Sequence, residues 1–188
     1  SAMAKQNDLI GQLSDLARRD SLSGLLNRRA FAEEAEALIR SCARQAKSLA
    51  VLMLDIDHFK SINDRFGHAA GDQVISIAAA RISACLRGND IIGRVGGEEF
   101  AILLPACSRE QALEVAERMR NAFSQSAIAL ESRGSLTVTV SVGLAWSNNG
   151  IADLNALMEE ADEALYRAKN LGRNRAEMHL RAHGSRST

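Results

Sequence analysis

The chain has no charge of either sign to spare: Lys plus Arg and Asp plus Glu each number 23. Proteins that grip duplex nucleic acid carry a basic excess or patch, so nucleic acid is not the expected partner. A nucleotide remains open, because it needs only a few well-placed cations. Cysteine is scarce as well. Cys42, Cys85 and Cys107 are odd in number and far apart, and no CxxC pair or Cys/His cluster has metal-ligand spacing. They read as reduced, partly buried thiols. No apolar run approaches the roughly 20 residues of a membrane span, and no secretory leader is recognisable. Internal repeats and low-complexity stretches are missing too. Aromatic residues make up only 4% of the chain, and Pro105 is the sole proline.

What is present fits one domain. A length of 188 residues supports a sizeable core and leaves little for a second unit. Ser1-Ala2-Met3 reads as a cloning remnant. Within residues 4–19, Leu9, Leu13 and Leu16 are spaced four and three apart. That stripe either packs on its own domain or ends a stalk from a preceding domain. Asp20 to Asn27 (DSLSGLLN) breaks the helix and starts another. Phe31, Ala35, Leu38, Ile39 and Cys42 then recur at helical spacing up to about Lys47. Leu49 to Leu54 is an apolar run ending in Asp55, as expected of a buried strand.

Residues 69–86 read as helix. Asp90–Val95 and Phe100–Leu104 flank Gly96-Gly97, which predicts a tight hairpin with its glycines at positive φ. Pro105 ends the second strand by removing a backbone donor. A helix over 108–125, one strand over Leu136–Trp146 and a helix from about Asp153 to Asn170, capped by Gly172, follow. The tail from Arg181 has little to bury and is expected to be disordered. This order predicts an α+β fold with helices packed on a mostly antiparallel central sheet. The expected boundaries are 1–19 for the leader, 20–180 for the domain and 181–188 for the tail.

Asp55 stands where the buried strand runs out, with Asp57 two residues on. A charge there is costly unless it is solvated, paired or bound to metal. Glu98 and Glu99 follow the Gly-Gly turn. If the strand of Asp55 lies beside that hairpin, Asp55 and Glu98 converge as hard oxygen ligands suited to Mg²⁺ or Mn²⁺. The glycines let a phosphate approach the backbone closely. Further along, the Asp72 carboxylate can accept the N1–H and N2–H donors of guanine together, and Asn63 can complete that edge. Adenine lacks those donors and would be rejected.

Together these residues resemble the GGDEF domain of diguanylate cyclases over about residues 20–178. The blocks that carry the resemblance are Asp20 to Arg29, Leu54 to Lys60 with Gly67 to Asp72, Arg94-Val95-Gly96-Gly97-Glu98-Glu99-Phe100, Val138 to Gly143, and Ala161-Asp162 through Arg173-Asn174. Ser23 stands where the family usually has Thr and keeps the hydroxyl. The resemblance implies a fold like the nucleotide cyclases and the polymerase palm. It implies metal held by Asp55, the Ile56 carbonyl and Glu98 with Glu99 near, as Mg²⁺ or Mn²⁺, two per site. Asn63, His68 and Asp72 would contact guanine. The amides of His58, Phe59 and Lys60, the Gly96-Gly97 turn, Lys169 and Arg173 would hold phosphates.

The activity so implied joins two GTP molecules into cyclic di-GMP, each step a 3′-hydroxyl attacking an α-phosphate and expelling pyrophosphate. Glu98 is the expected general base, with Glu99 the alternative, and Lys60 would stabilise the transition state. One domain holds one GTP, so catalysis implies a homodimer organised by the leader helix. Arg87-Gly88-Asn89-Asp90, with its Asp six residues before Gly96, resembles the family's inhibitory product site, and Arg118 is a second contact. A missing N-terminal sensor or regulatory domain is implied as well. The domain itself is expected in the cytoplasm, with membrane anchoring of the full protein open. The competing expectation is an inactive domain serving as a GTP or cyclic di-GMP receptor.

Overall fold

Leu49–Ile56 forms β1, the middle strand of the fold, and all eight of its residues are buried. Alternate side chains leave a strand on opposite faces, and here each face meets its own helical layer. Ala50, Leu52, Leu54 and Ile56 pack with α4 (His68–Ala84) and α5 (Arg109–Ser124). Leu49, Val51 and Met53 pack with α2 (Arg28–Arg44) and α6 (Leu154–Asn170). The expected helix-covered sheet is therefore present. This is a computed structural model; it describes residues 2–131, 133–150 and 153–180, without the side chains of residues 14–16 and 150. Ser1, the Leu16 side chain and the tail expected from Arg181 lie outside the described residues.

The sheet runs β2 (Ile91–Arg94), β3 (Glu99–Pro105), β1, β6 (Val140–Ser147), β7 (Ala176–Met178). Every pairing is antiparallel except β6 with β7. Pro105 is the last residue of β3, opposite Leu49. Local sequence starts the helices where they begin. Asn27 accepts a hydrogen bond from the Ala30 amide at 2.9 Å, and Ser108 and Gln111 form a reciprocal capping box ahead of α5. Gly172 follows α6 at φ 113°, the left-handed stop that its position predicted.

One element was not expected, and three expectations need correction. An eight-residue helix, α3 (Phe59–Phe66), lies between β1 and α4; only Ile62 of it is buried, so its period is hidden among polar residues. The strand expected over Leu136–Trp146 is two. Leu136 ends β5 (Gly134–Leu136), which pairs with β4 (Ile128–Leu130) in a separate hairpin, and the main sheet resumes at Val140. The helix expected up to Lys47 stops at Arg44. Finally, Leu9 and Leu13 on α1 (Ala2–Arg18) are 56% and 57% exposed, so they do not pack on their own domain. All three cysteines are free and buried, as expected. No helix among the described residues is long and apolar enough to cross a membrane.

Gly143 sets the height of α6 over the sheet. A Cβ there would collide with the Ala161 carbonyl oxygen and the Leu165 amide nitrogen, backbone atoms that cannot rotate away. Gly143→Ala is expected to force α6 off β6 and to cost about 3 kcal/mol of stability. Denaturant unfolding checks this, and an unchanged midpoint would contradict so close a packing.

Candidate active site

The strand parity that fills the core also aims the charges. Asp55 shares a face with Leu49, Val51 and Met53, toward α6, and Lys169 on α6 pairs with its carboxylate. Asp55 is only 5% exposed. Its carboxyl is pushed above the usual range first by burial; the Lys169 hydrogen bond and charge oppose this, while the charges of Glu98 and Asp57 add to it. β1 runs beside β3, with Asp55 opposite Glu99, and the Ile56 amide donates to the Glu98 carbonyl at 3.3 Å. The strand therefore does lie beside the hairpin. Among the described residues no three Asp, Glu, His or Cys side chains form a ready metal cage. Two crowded carboxylates at a strand end fit magnesium or manganese nonetheless, since such ions commonly take one or two protein carboxylates and complete their shell with substrate phosphates and water.

β1 leads directly into α3 through His58, which adopts a left-handed φ of 57°. No side chain caps α3 and its first turn holds no acidic residue, so the amide donors of His58, Phe59 and Lys60 have no side-chain acceptor there. The guanine candidates are brought together by a second glycine. A Cβ at Gly71 would overlap the Asn63 amide oxygen, so the absence of a side chain lets Asn63 lie against the residue preceding Asp72. Gly67, at φ 89°, makes the corner that folds α4 back beside α3. Asp72, His68 and Lys60 are exposed along this edge.

The hairpin is present for a different reason than its glycines suggested. Neither Gly96 nor Gly97 has positive φ. Gly96 makes room for Glu99, whose carboxylate would meet a Cβ placed there, and Gly97 opens on empty space. A network from the first motif block holds the turn. Arg94 donates to the Gly97 carbonyl from Nε and Nη2 at 3.0 and 2.7 Å, and from Nη1 to both Asp20 oxygens at 3.1 Å. Asp20 in turn accepts from the Ser23 amide and hydroxyl at 2.7 and 2.6 Å. The Ser23 hydroxyl is thus in use.

Asp57 was left without a role by its sequence position. It is 5% exposed and accepts from the hydroxyls of Thr139 and Ser141, each at 2.7 Å, and from the Asn174 amide at 3.0 Å. Its signal was the Asp-x-Asp spacing at the strand end facing a Thr-x-Ser spacing in the later strand block. Lys169 lies in the last turn of α6, whereas Arg173 follows Gly172 at a left-handed φ of 63°. The two therefore stand on a helix and on a turn, not on one helical face, and only Lys169 touches Asp55.

A family model described as "Diguanylate cyclase, GGDEF domain" matches residues 17–175. The chain belongs to this GGDEF family. It is 42% identical over 168 residues to the uncharacterized protein YhcK of Bacillus subtilis, covering 89% of this chain and 47% of that protein. It is 44% identical over 163 residues to the diguanylate cyclase DgcP of Pseudomonas aeruginosa, covering 86% of this chain and 24% of that one. The chain thus spans between about a quarter and a half of these relatives. The crystal structure of the coiled coil and GGDEF domain of DgcB from Caulobacter crescentus, in complex with c-di-GMP, superposes with a TM-score of 0.89 at 31% identity. That match covers 94% of this chain and 93% of the other.

On the far side of this GGDEF domain, Arg87 and Asp90 form a turn before β2, with the Arg87 amide donating to the Asp90 carboxylate at 2.8 Å. Both line a cleft of about 180 Å³ with Asn89, Pro105, Cys107 and Gln111. Burial, with the nearby Asp90 charge, pushes the Cys107 thiol up to about 12, so it is no nucleophile. Arg118 is not in that lining; it donates to the Cys85 carbonyl at 2.8 Å, just before the turn.

Burial raises the Asp20 carboxyl, but the hydrogen bonds from Ser23 and then Arg94 outweigh it and hold the group below the usual carboxylate range. A lowered carboxyl contributes stability that is full above its unfolded value and is lost as pH falls through the folded one. Asp20→Asn is therefore expected to cost about 1–3 kcal/mol at neutral pH. The difference from wild type should shrink as pH drops below about 4. Urea melts across pH check this, and a pH-independent difference would remove the charged network.

Proposed function

We propose that this domain is a metal-dependent diguanylate cyclase that condenses two GTP into cyclic di-GMP and two pyrophosphates. The observation that carries the reading is the buried Asp55 carboxylate, crowded by Glu98 and balanced by Lys169, with the uncapped start of α3 at His58 three residues on. That arrangement combines a place for cations with free amide donors for phosphate. Asp55, the Ile56 carbonyl, Glu98 and Glu99 would hold Mg²⁺ or Mn²⁺, two per site, which when bound lowers the 3′-hydroxyl pKa and neutralises charge on the phosphates.

The remaining steps belong to the chain's own groups. The amides of His58, Phe59 and Lys60 cradle the phosphates, and the open side of Gly97 lets them approach the turn. Asn63, His68 and Asp72 read guanine. Lys169 and Arg173 take the terminal phosphates, and Lys60 balances charge as the α-phosphate is attacked. Glu98 accepts the proton of the attacking hydroxyl; Glu99 is the alternative. One domain holds one nucleotide, so two domains must meet face to face. The exposed Leu9, Ile10 and Leu13 of α1 support a helical pairing that brings them together. The Arg87–Asp90 cleft would hold cyclic di-GMP as inhibitor. A regulatory domain ahead of α1 fits the greater length of the relatives. The receptor alternative gains nothing from the residues, since Asp55, Gly96, Gly97 and Glu98 are all in place.

Glu98→Gln should give a folded domain that still binds GTP and forms no detectable product, because a neutral amide replaces neither the metal ligand nor the base. Pyrophosphate release in Mg²⁺ measures it; near-normal turnover would take Glu98 out of the site. Arg87→Ala should keep the initial rate and lose inhibition by added cyclic di-GMP, because it removes a phosphate fork and touches no metal ligand. Progress curves decide: undiminished inhibition would leave only a surface pair of Arg87 and Asp90.

A further inference from the structure

The proposed chemistry leaves one buried carboxylate unused. Asp57 sits two residues beyond Asp55, yet both its oxygens are engaged by the protein: Oδ1 takes the Ser141 hydroxyl, and Oδ2 takes the Thr139 hydroxyl and the Asn174 amide. A carboxylate this deeply buried persists only when hydrogen bonds replace its water. Three donors do so here, which removes it from the set of free metal ligands. The donors are informative in where they come from. Two stand at the start of β6, and the third belongs to the turn after α6.

That turn is strained. Arg173 and Asn174 have φ of 63° and 47°, two successive non-glycine residues in the left-handed region. Such conformations hold only where surrounding contacts over-determine them. The contacts here are few and specific. The Arg173 amide donates to the Ala168 carbonyl at 3.0 Å, the Val142 amide donates to the Arg175 carbonyl at 2.9 Å, and Arg120 reaches the Asn174 side chain at 3.2 Å. The bond to Asp57 is charge-assisted, as the Arg120 bond is, and of these contacts it is the one that ties the turn to the end of β1, where Asp55 lies.

We propose that Asp57 is a positioning residue that fixes the 171–175 turn so that Arg173 meets the terminal phosphates of the nucleotide. It acts through the Asn174 amide, without touching substrate or metal. This rests on the reading that Arg173 is a phosphate contact. It also predicts a selectivity that a merely structural pillar would not have, since the loss must fall on the triphosphate tail and spare the guanine end.

The test compares binding of 3′-deoxy-GTP, which lacks the attacking hydroxyl, with binding of GMP in Mg²⁺ by calorimetry. Asp57→Asn should weaken 3′-deoxy-GTP about tenfold while GMP stays within about twofold. Arg173→Ala should do the same, and the double variant should be no weaker than Arg173→Ala alone, because both act on one contact. Equal losses for both nucleotides in Asp57→Asn, or additive losses in the double variant, would overturn the proposal. If Arg173→Ala leaves the triphosphate preference intact, the phosphate reading of Arg173 falls and the proposal with it. If only Asp57→Asn leaves it intact, the proposal alone falls. Should Asp57→Asn not fold, Ser141→Ala, which keeps the charge and strips one donor, is read in the same way with a smaller loss.

Discussion

A strand covered on both faces cannot end in two carboxylates unless something at its exit takes their charge, and that constraint organises this molecule. β1 is buried along its eight residues, the seventh of which is Asp55, and Asp57 follows directly, each at 5% exposure. The two are resolved in opposite ways. Asp57 is filled by hydroxyls and an amide and becomes part of the frame. Asp55 receives one ammonium, Lys169, while burial and the charge of Glu98 still press its carboxyl upward. Asp57 is fully engaged by donors while the charge of Asp55 is only partly offset by Lys169, and a partly offset anion beside amide donors without a side-chain acceptor is where a metal–phosphate ligand is best received.

Close approach is the second requirement, and side-chain deletion supplies it at three places. Gly143 lets α6 lie on β6 and so lowers Lys169 toward Asp55. Gly71 admits Asn63 beside Asp72. Gly96 admits Glu99 under the hairpin. Around these, the Ser23–Asp20–Arg94 chain ends on the Gly97 carbonyl and carries the first motif block into the turn's geometry. Blocks far apart in the chain are thus joined by contacts rather than by any shared element.

Much of this was legible in the residues. The buried strand, the hairpin, the stop at Pro105 and the stop of α6 at Gly172 follow from local pattern, whereas the adjacency of Asp55 to the hairpin was only a condition until the sheet order supplied it. What escaped did so for physical reasons. α3 buries a single residue, Ile62, and so shows no period. Thr137-Val138-Thr139 alternates like strand, but the Thr139 carbonyl is taken by the Asp57 amide at 2.9 Å, which sets the start of β6 beyond it. β4, β5 and β7 have three residues each, too short for a pattern. The Gly-Gly turn was located correctly for the wrong reason: the need is space for Glu99, not positive φ. Asp57 was missed because its partners are about 80 and 117 residues away, beyond the reach of any local rule.

The central claim is that this arrangement does chemistry on GTP and not merely binds it. The direct measurement is to incubate the chain with GTP and Mg²⁺ and to identify the nucleotide product by mass. The account predicts cyclic di-GMP, with one pyrophosphate released for each GTP consumed and none formed when the metal is withheld. GTP bound at the site and recovered unchanged, at chain concentrations high enough for two domains to meet, would contradict it.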